Sequence, residues 1–318
     1  MQPKIGKLVL IGAGNVGSAV LNSLMQLNVV NEIVVIDYNK DKALGEVLDA
    51  SHTTAFVYSS NVVVRVGDYS DCADAQIIIM TAGPSIKPGD KRDRMVLLDK
   101  NVTVMCETME KITSYTREAI IINVSNPLDI LTYVAQTKFD YPKEKLFGTG
   151  TLLDTARFNR MIADICHVDA KNVTGFVLGE HGTTSFVPWN TVNIVGVPFE
   201  EFKTQFSLTE NINKEKILND IKEAGMDILQ LKGYTSSGIA LSVCRLVDAI
   251  IHNEHCVLPV SILLNGQYGI HDVSLSLPCV ITSGGIERVL ELPLDENGKK
   301  DLQICVDKLK NIIKDLNL

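Results

Sequence analysis

No two of the seven cysteines form a C-x-x-C, no apolar run approaches the length of a membrane span, no stretch is strongly basic, and no fixed-period repeat or low-complexity tract is present. Each absence removes a class of protein. An odd number of scattered cysteines, at 72, 106, 166, 244, 256, 279 and 305, supplies neither a disulfide framework nor a zinc site and reads as reduced, cytoplasmic thiols. No metal is expected. A spanning helix needs about 20 apolar residues, so no membrane partner is expected either. The segment LVLIGAG from Leu8 is short and runs on into Asn15 and further glycine rather than a cleavage site, so it is not expected to be a signal peptide. The formal net charge is −8, from 30 Lys+Arg and 38 Asp+Glu, which argues against nucleic acid as a partner.

What is present suits an intracellular globular protein. The chain has 318 residues, 46% of them apolar, enough for one large or two ordinary domains. In the first half, apolar runs at Lys7–Ile11, Glu32–Asp37, Val62–Val66, Ile77–Thr81 and Ala119–Val124 alternate with helical patterns such as SAVLNSLMQLN and KALGEVLDASH. Continuous Ile and Val runs are expected of parallel strands buried on both faces, and this alternation is βαβ winding. The fold class is therefore α/β, a Rossmann-type doubly wound parallel sheet. Beyond about Gly148 the texture becomes α+β. Helices are expected at Asp154–Ile165, Lys214–Lys232, Thr235–His252 and Lys299–Leu316, strand-like pieces at Val173–Gly179 and Val187–Val195, and a strand pair in LSLPCVITSGGIERVLEL. The expected division is a first domain over 1–148 and a second over 149–318.

Three local patterns carry chemistry. Gly12-Ala13-Gly14-Asn15-Val16-Gly17 follows the first strand at once and opens a helix. Such a loop turns tightly at its first glycine, lets backbone approach a pyrophosphate at its second, and packs helix on strand at its third, with the phosphates at the helix N-terminus. Asp37 ends the next strand, 20 residues after Gly17. A carboxylate there accepts from ribose hydroxyls and repels a 2′-phosphate, which points to NAD rather than NADP. Asp154 and Arg157, at i and i+3, share a helix face, either as a surface ion pair or as part of a site. His181 lies in GEHG, accessible between the glycines at 179 and 182, and Asp154 is the right kind of partner to orient it. His252 and His255 in HNEH lack a further ligand motif nearby and read as a solvated helix end.

The motifs GAGNVG, VVIDYNKDKALGEVLD, TAG, NVSNPLDILTYV, GTGTLLDTARF, VLGEHG and LKGYTSSGIALS resemble, in order and spacing over nearly the whole chain, the L-lactate/malate dehydrogenase family. Within it, the bacterial L-lactate and L-2-hydroxyisocaproate dehydrogenases look most similar. The resemblance implies an NAD-dependent L-2-hydroxyacid dehydrogenase and a homo-oligomer, dimer or tetramer. It implies that His181 is the general acid and base of hydride transfer, Asp154 its orienting partner, and Arg157 the fork for the substrate carboxylate. Asn126 would bond near the nicotinamide and the substrate carbonyl, and Thr235 would line the side-chain pocket. Gly12, Gly14, Val16, Gly17, Asp37, Tyr69 and Gly83 would hold the cofactor. Against this stands a non-catalytic NAD-sensing protein on the same fold, which would have no use for the acid, its orienter and the anion fork.

The lid, TAGPSIKPGDKRDRMVLLDKN, departs from the pattern. The family carries there an arginine that polarises the substrate carbonyl. Counting forward from Gly83 gives Arg92; counting back from Asn101 gives Arg94, so this lid is two residues longer than usual. Arg94 keeps the following helix in register and is favoured, with Arg92 the alternative. The selectivity position is Ile86 by the forward count and Pro88 by the backward one. Neither is the cation that a malate enzyme needs, although Lys87 and Lys91 are near; an apolar residue suits pyruvate or branched 2-oxo acids. Many bacterial relatives are activated by fructose 1,6-bisphosphate through an Arg and a His. Here those positions are Asn159 and Thr174, so that activation is not expected.

Overall fold

The computed structural model describes residues 5–56, 61–90, 94–206 and 212–316, with Ile5 and Arg94 as backbone alone. Strands β1 (Ile5–Ile11), β2 (Val30–Ile36), β3 (Val63–Val66), β4 (Ile77–Met80), β5 (Ile120–Asn123) and β6 (Leu146–Gly148) pair in parallel in the order 3-2-1-4-5-6. Helices α1 (Asn15–Leu27), α2 (Lys40–His52), α3 (Leu98–Thr113) and α4 (Leu128–Lys138) complete the crossovers. This is the expected doubly wound sheet, and its burial explains the sequence runs. Leu8, Leu10, Ile33, Val35, Ile77 and Ile79 enter one core cluster, while Val9, Ile11, Val34, Ile36, Ile78 and Met80 enter another on the opposite face. With both faces covered, strand periodicity has no polar side to display.

The sheet does not stop at the domain boundary read from the sequence. Strands β10 (Cys256–Asn265), β11 (His271–Thr282) and β12 (Gly285–Val289) continue it antiparallel beyond β6 into a nine-stranded sheet, joined where Ser261 pairs with Gly148. Neither β6 nor β10 was expected. β6 is only three residues long, and Pro259 interrupts β10, where it lies opposite Pro278 of β11.

The rest of the second half packs around α5 (Leu152–Cys166), α6 (Phe199–Gln205) and α7 (Lys214–Lys232), whose apolar faces meet in a third cluster built on Phe158, Ile162, Phe199, Phe202, Ile217 and Ile221. Helix α8 (Ser237–Ile251) packs on α1, and α9 (Glu296–Asp315) closes over β11. Two expected strands shrink. Val173–Gly179 keeps only β7 (Val173–Thr174) plus single bridges at Leu178 and Gly179. Val187–Val195 keeps only β8 (Asn193–Ile194), which pairs with β7 and with β9 (Val197–Pro198), because Pro188 starts a 3-10 turn over Trp189–Thr191. All seven cysteines are unpaired, and burial pushes the thiols of Cys72, Cys244 and Cys305 up to about 12. Among the described residues no helix is long and apolar enough to cross a membrane.

Candidate active site

Where the strand order reverses, between β1 and β4, the loops at the carboxyl ends of the strands open a crevice. Gly12 takes φ +104°, and a Cβ there would lie 2.7 Å from the Thr81 hydroxyl oxygen. A Cβ on Gly17 would lie 1.9 Å from the Gly12 carbonyl oxygen. These two glycines are thus required by packing. Gly14 differs, since nothing lies within 4 Å of a Cβ placed on it, and it lines the cavity, leaving room for a ligand to approach the backbone. Asp37, just past β2, accepts from the Ala13 amide at 2.7 Å and from the Asn39 amide at 2.8 Å. Its carboxylate is thereby fixed at the rim of the glycine loop with lone pairs to spare.

The crevice is a cavity of about 300 Å³ lined by Gly14, Val16, Gly83, Ile86, Asn126 and Thr235, among others. Asn101 of α3 donates to the carbonyls of Pro84 (3.2 Å) and Asn126 (2.7 Å), tying the start of the lid to the loop after β5. The Asn126 side-chain oxygen is buried and has no hydrogen-bond partner among the described residues. Such an atom is costly unless a ligand completes it, at about 1–3 kcal/mol. The residues therefore fit a dinucleotide whose amide end reaches Asn126. Tyr69 is not among the cavity-lining residues; it packs against the core face with the Lys111 ammonium 5.1 Å from its ring centroid, and burial raises its phenol. Of the two selectivity candidates, Ile86 lines the cavity and Pro88 does not. Arg92 lies outside the described residues, and Arg94 enters the description only as the first backbone position of a 3-10 turn, Arg94–Leu97. The Lys87 amide donates to Asp90 Oδ2 at 2.7 Å, and Gly89 takes φ +90° in the turn that follows.

A second cavity of about 130 Å³ continues from the first, sharing Asn126, Gly225 and Met226. It holds the polar constellation. Asp154, in the first turn of α5, is almost entirely buried. Its Oδ2 meets His181 Nδ1 at 2.6 Å and its Oδ1 accepts from Arg157 at 2.9 Å. Asp154 and Arg157 are thus ion-paired, but as a largely buried pair on a cavity wall rather than as a surface pair. A carboxylate accepts, so Nδ1 of His181 donates, and the residue lines the cavity. Thr235 follows the α7 C-cap Gly233 and joins Arg157 and His181 around a third, smaller space.

His181 is held from several sides. Gly179 exchanges backbone hydrogen bonds with Ser276 of β11, at 3.1 and 2.9 Å. The His181 amide donates to Asp129 Oδ2 at 2.7 Å. Glu180, its neighbour, takes the Lys308 ammonium on both oxygens at 2.8 Å. Sequence reasoning missed Asp129, Glu180, Lys308 and Lys222, a half-buried cavity-lining lysine whose ammonium is disfavoured by burial. Asp129 stands in NPLDIL and Glu180 in GEHG, so both lay inside quoted motifs; Lys222 and Lys308 had no local signal.

The similarity to known proteins is extensive. A family model described as the lactate/malate dehydrogenase NAD binding domain matches residues 6–148, and one described as the lactate/malate dehydrogenase alpha/beta C-terminal domain matches residues 151–317. The chain belongs to the lactate/malate dehydrogenase family. It is 56% identical to L-lactate dehydrogenase 2 of Clostridium acetobutylicum, covering 98% of this chain and 97% of that one, and 45% identical to the L-lactate dehydrogenase of Selenomonas ruminantium, covering 96% of each. It superimposes on the ligand-bound minor L-lactate dehydrogenase of Enterococcus mundtii with a TM-score of 0.92, at 34% identity and 99% coverage of both chains. As a member of the lactate/malate dehydrogenase family, with an NAD-binding domain, it is an NAD-dependent oxidoreductase.

Proposed function

We propose that this protein is an L-lactate dehydrogenase that reversibly reduces pyruvate to L-lactate. The observation that carries this reading is the Asp154–His181–Arg157 constellation, which combines a proton carrier, its fixed carboxylate and a guanidinium at one cavity wall. Gly14, Val16, Gly83, Asp37 and Asn126 would hold NADH, which when bound would supply the hydride. Gly12 and Gly17 shape the glycine loop, and Tyr69 is assigned near the adenine only by its place in the family pattern. His181 delivers its proton from Nε2 to the carbonyl oxygen and recovers it in the oxidation of lactate. Asp154 stabilises the charged ring between those events. Arg157 meets the substrate carboxylate with a two-pronged donor, leaving its other face on Asp154. Asn126 orients the carbonyl, Thr235 bounds the side chain, and the lid arginine, Arg94 or Arg92, polarises the carbonyl once the lid closes.

Ile86 at the cavity wall supports a methyl or branched aliphatic substrate over a distal carboxylate, because burying an unpaired carboxylate is costly. Lys87 and Lys222 also line the joined cavities, which keeps oxaloacetate in the test. The proposed protein is cytoplasmic and homo-oligomeric, tetramer or dimer, with an NAD-binding unit at 1–148, a substrate unit at 149–318 and no activation by fructose 1,6-bisphosphate. The test is a comparison of kcat/KM for pyruvate, 2-oxoisocaproate and oxaloacetate with NADH. Pyruvate is expected to lead. A lead for 2-oxoisocaproate or oxaloacetate would replace lactate by that substrate's hydroxy acid.

A further inference from the structure

Asp129 is 3% exposed, at the first turn of α4 and three residues beyond Asn126. Its two oxygens are both engaged by other parts of the chain. Oδ2 takes the His181 amide at 2.7 Å, and Oδ1 takes the Ser261 hydroxyl of β10 at 2.6 Å. One carboxylate thus binds the catalytic loop to the helix that follows Asn126 and to the strand that joins the two halves of the sheet. Nothing in the hydride transfer itself requires a second buried acid, and a carboxylate this deep is costly unless hydrogen-bonded, as its two donors make it.

We propose that Asp129 is a positioning residue for His181, fixing its main chain and, when ionised, favouring the protonated imidazole. The inference rests on the reading of His181 as the acid and base. The ionisable groups facing Asp129 are His181 and Glu180 in the loop and Cys305 on α9. Glu180 is itself paired with Lys308, and the Cys305 thiol is held protonated by burial, so His181 is the cation that the Asp129 charge can serve. Burial raises the Asp129 carboxyl to about 7, opposed by its two hydrogen bonds, so its charge appears as the pH rises through about 7.

The test is the pH profile of kcat/KM for pyruvate in the full-length enzyme, with NADH affinity measured alongside. Asp129→Asn keeps the shape and removes the charge. It is expected to move the basic limb about half a unit or more to lower pH and to erase the inflection near 7, while NADH affinity stays within about twofold. Ser261→Ala leaves the charge but removes one donor to it. It is expected to move that inflection to higher pH, because the ionised form loses a hydrogen bond. A merely structural Asp129 would lower activity without moving either feature. Folded Asp129→Asn with a parental profile overturns the proposal. Should Asp129→Asn not fold, an unmoved inflection in Ser261→Ala overturns it and an upward shift supports it. Unchanged profiles with His181→Asn inactive sink only the Asp129 inference; a fully active His181→Asn sinks the reading beneath it.

Discussion

Replacing Asp154 by Asn probes the link between geometry and rate. The side chains of Asp154 and His181 are both largely buried and 2.6 Å apart, so solvent screens their attraction little. Two unit charges with centres about 4 Å apart at an effective dielectric near 20 attract by about 4 kcal/mol. Asparagine fills the same space and keeps at most a neutral hydrogen bond, worth about 1 kcal/mol. The difference, about 3 kcal/mol, is withdrawn from the state in which His181 is charged. Each 1.4 kcal/mol is about tenfold, so kcat/KM for pyruvate should fall about 100- to 200-fold. If the amide instead presents its NH₂ to Nδ1, the ring takes the wrong tautomer and the loss grows toward about 10⁴-fold, as when the aspartate of a hydrolytic triad is replaced by asparagine. Arg157 also loses the charge it leans on at 2.9 Å, so KM should rise while NADH binding stays unchanged. Steady-state NADH consumption at varied pyruvate, with an NADH titration beside it, measures both. A variant within about threefold of the parent in kcat/KM would refute the reasoning.

Other expectations follow from the same structure. Arg157→Lys keeps a cation but loses the planar fork, so KM for pyruvate should rise about 100-fold with little change in NADH affinity, read from initial rates. Gly17→Ala forces a Cβ to 1.9 Å from the Gly12 carbonyl oxygen, and a lowered Tm with weakened NADH binding is expected from thermal melts with and without cofactor. Asp37→Ala should weaken NADH binding about tenfold and narrow the preference over NADPH, because the repelling carboxylate is gone; competition titrations check it. Asp129 has its folded-state carboxyl raised from 3.8 to about 7, so its contribution to stability is present below 3.8 and is lost as pH rises through about 7. The stability of the parent relative to Asp129→Asn should therefore decline across that window, as denaturant melts at stepped pH would show. Fructose 1,6-bisphosphate should leave the rate unchanged, since Asn159 and Thr174 offer no cation.

The strands were legible because Ile77–Met80 and Ile120–Asn123 are covered on both faces, which forces continuous apolar runs. The glycine loop was legible because its requirement is local: Gly17 must clear Gly12, five residues away. The constellation was legible in part. Asp154 and Arg157 share a helix turn, but His181 reaches Asp154 across 27 residues, so their residue types suggested a partnership that no spacing could establish. Lys308 meets Glu180 from 128 residues away, and Ser261 meets Asp129 from 132, distances that no periodicity encodes. Packing of α4 against β10 and of α9 against β11, rather than spacing along the chain, creates those contacts. The lid count left Ile86 and Pro88 open because an insertion shifts register without leaving a local mark; of the two, Ile86 lines the cavity.

The central claim is that His181 carries the proton for a reaction whose cofactor is held elsewhere. His181→Asn tests it most directly, by fluorescence titration with NADH and turnover of pyruvate on the same preparation. The account predicts NADH affinity within about threefold of the parent and turnover reduced by about 10³-fold or more, beyond the 10²- to 10⁴-fold range only where positioning is also lost. Turnover within tenfold of the parent at unchanged NADH affinity would contradict it.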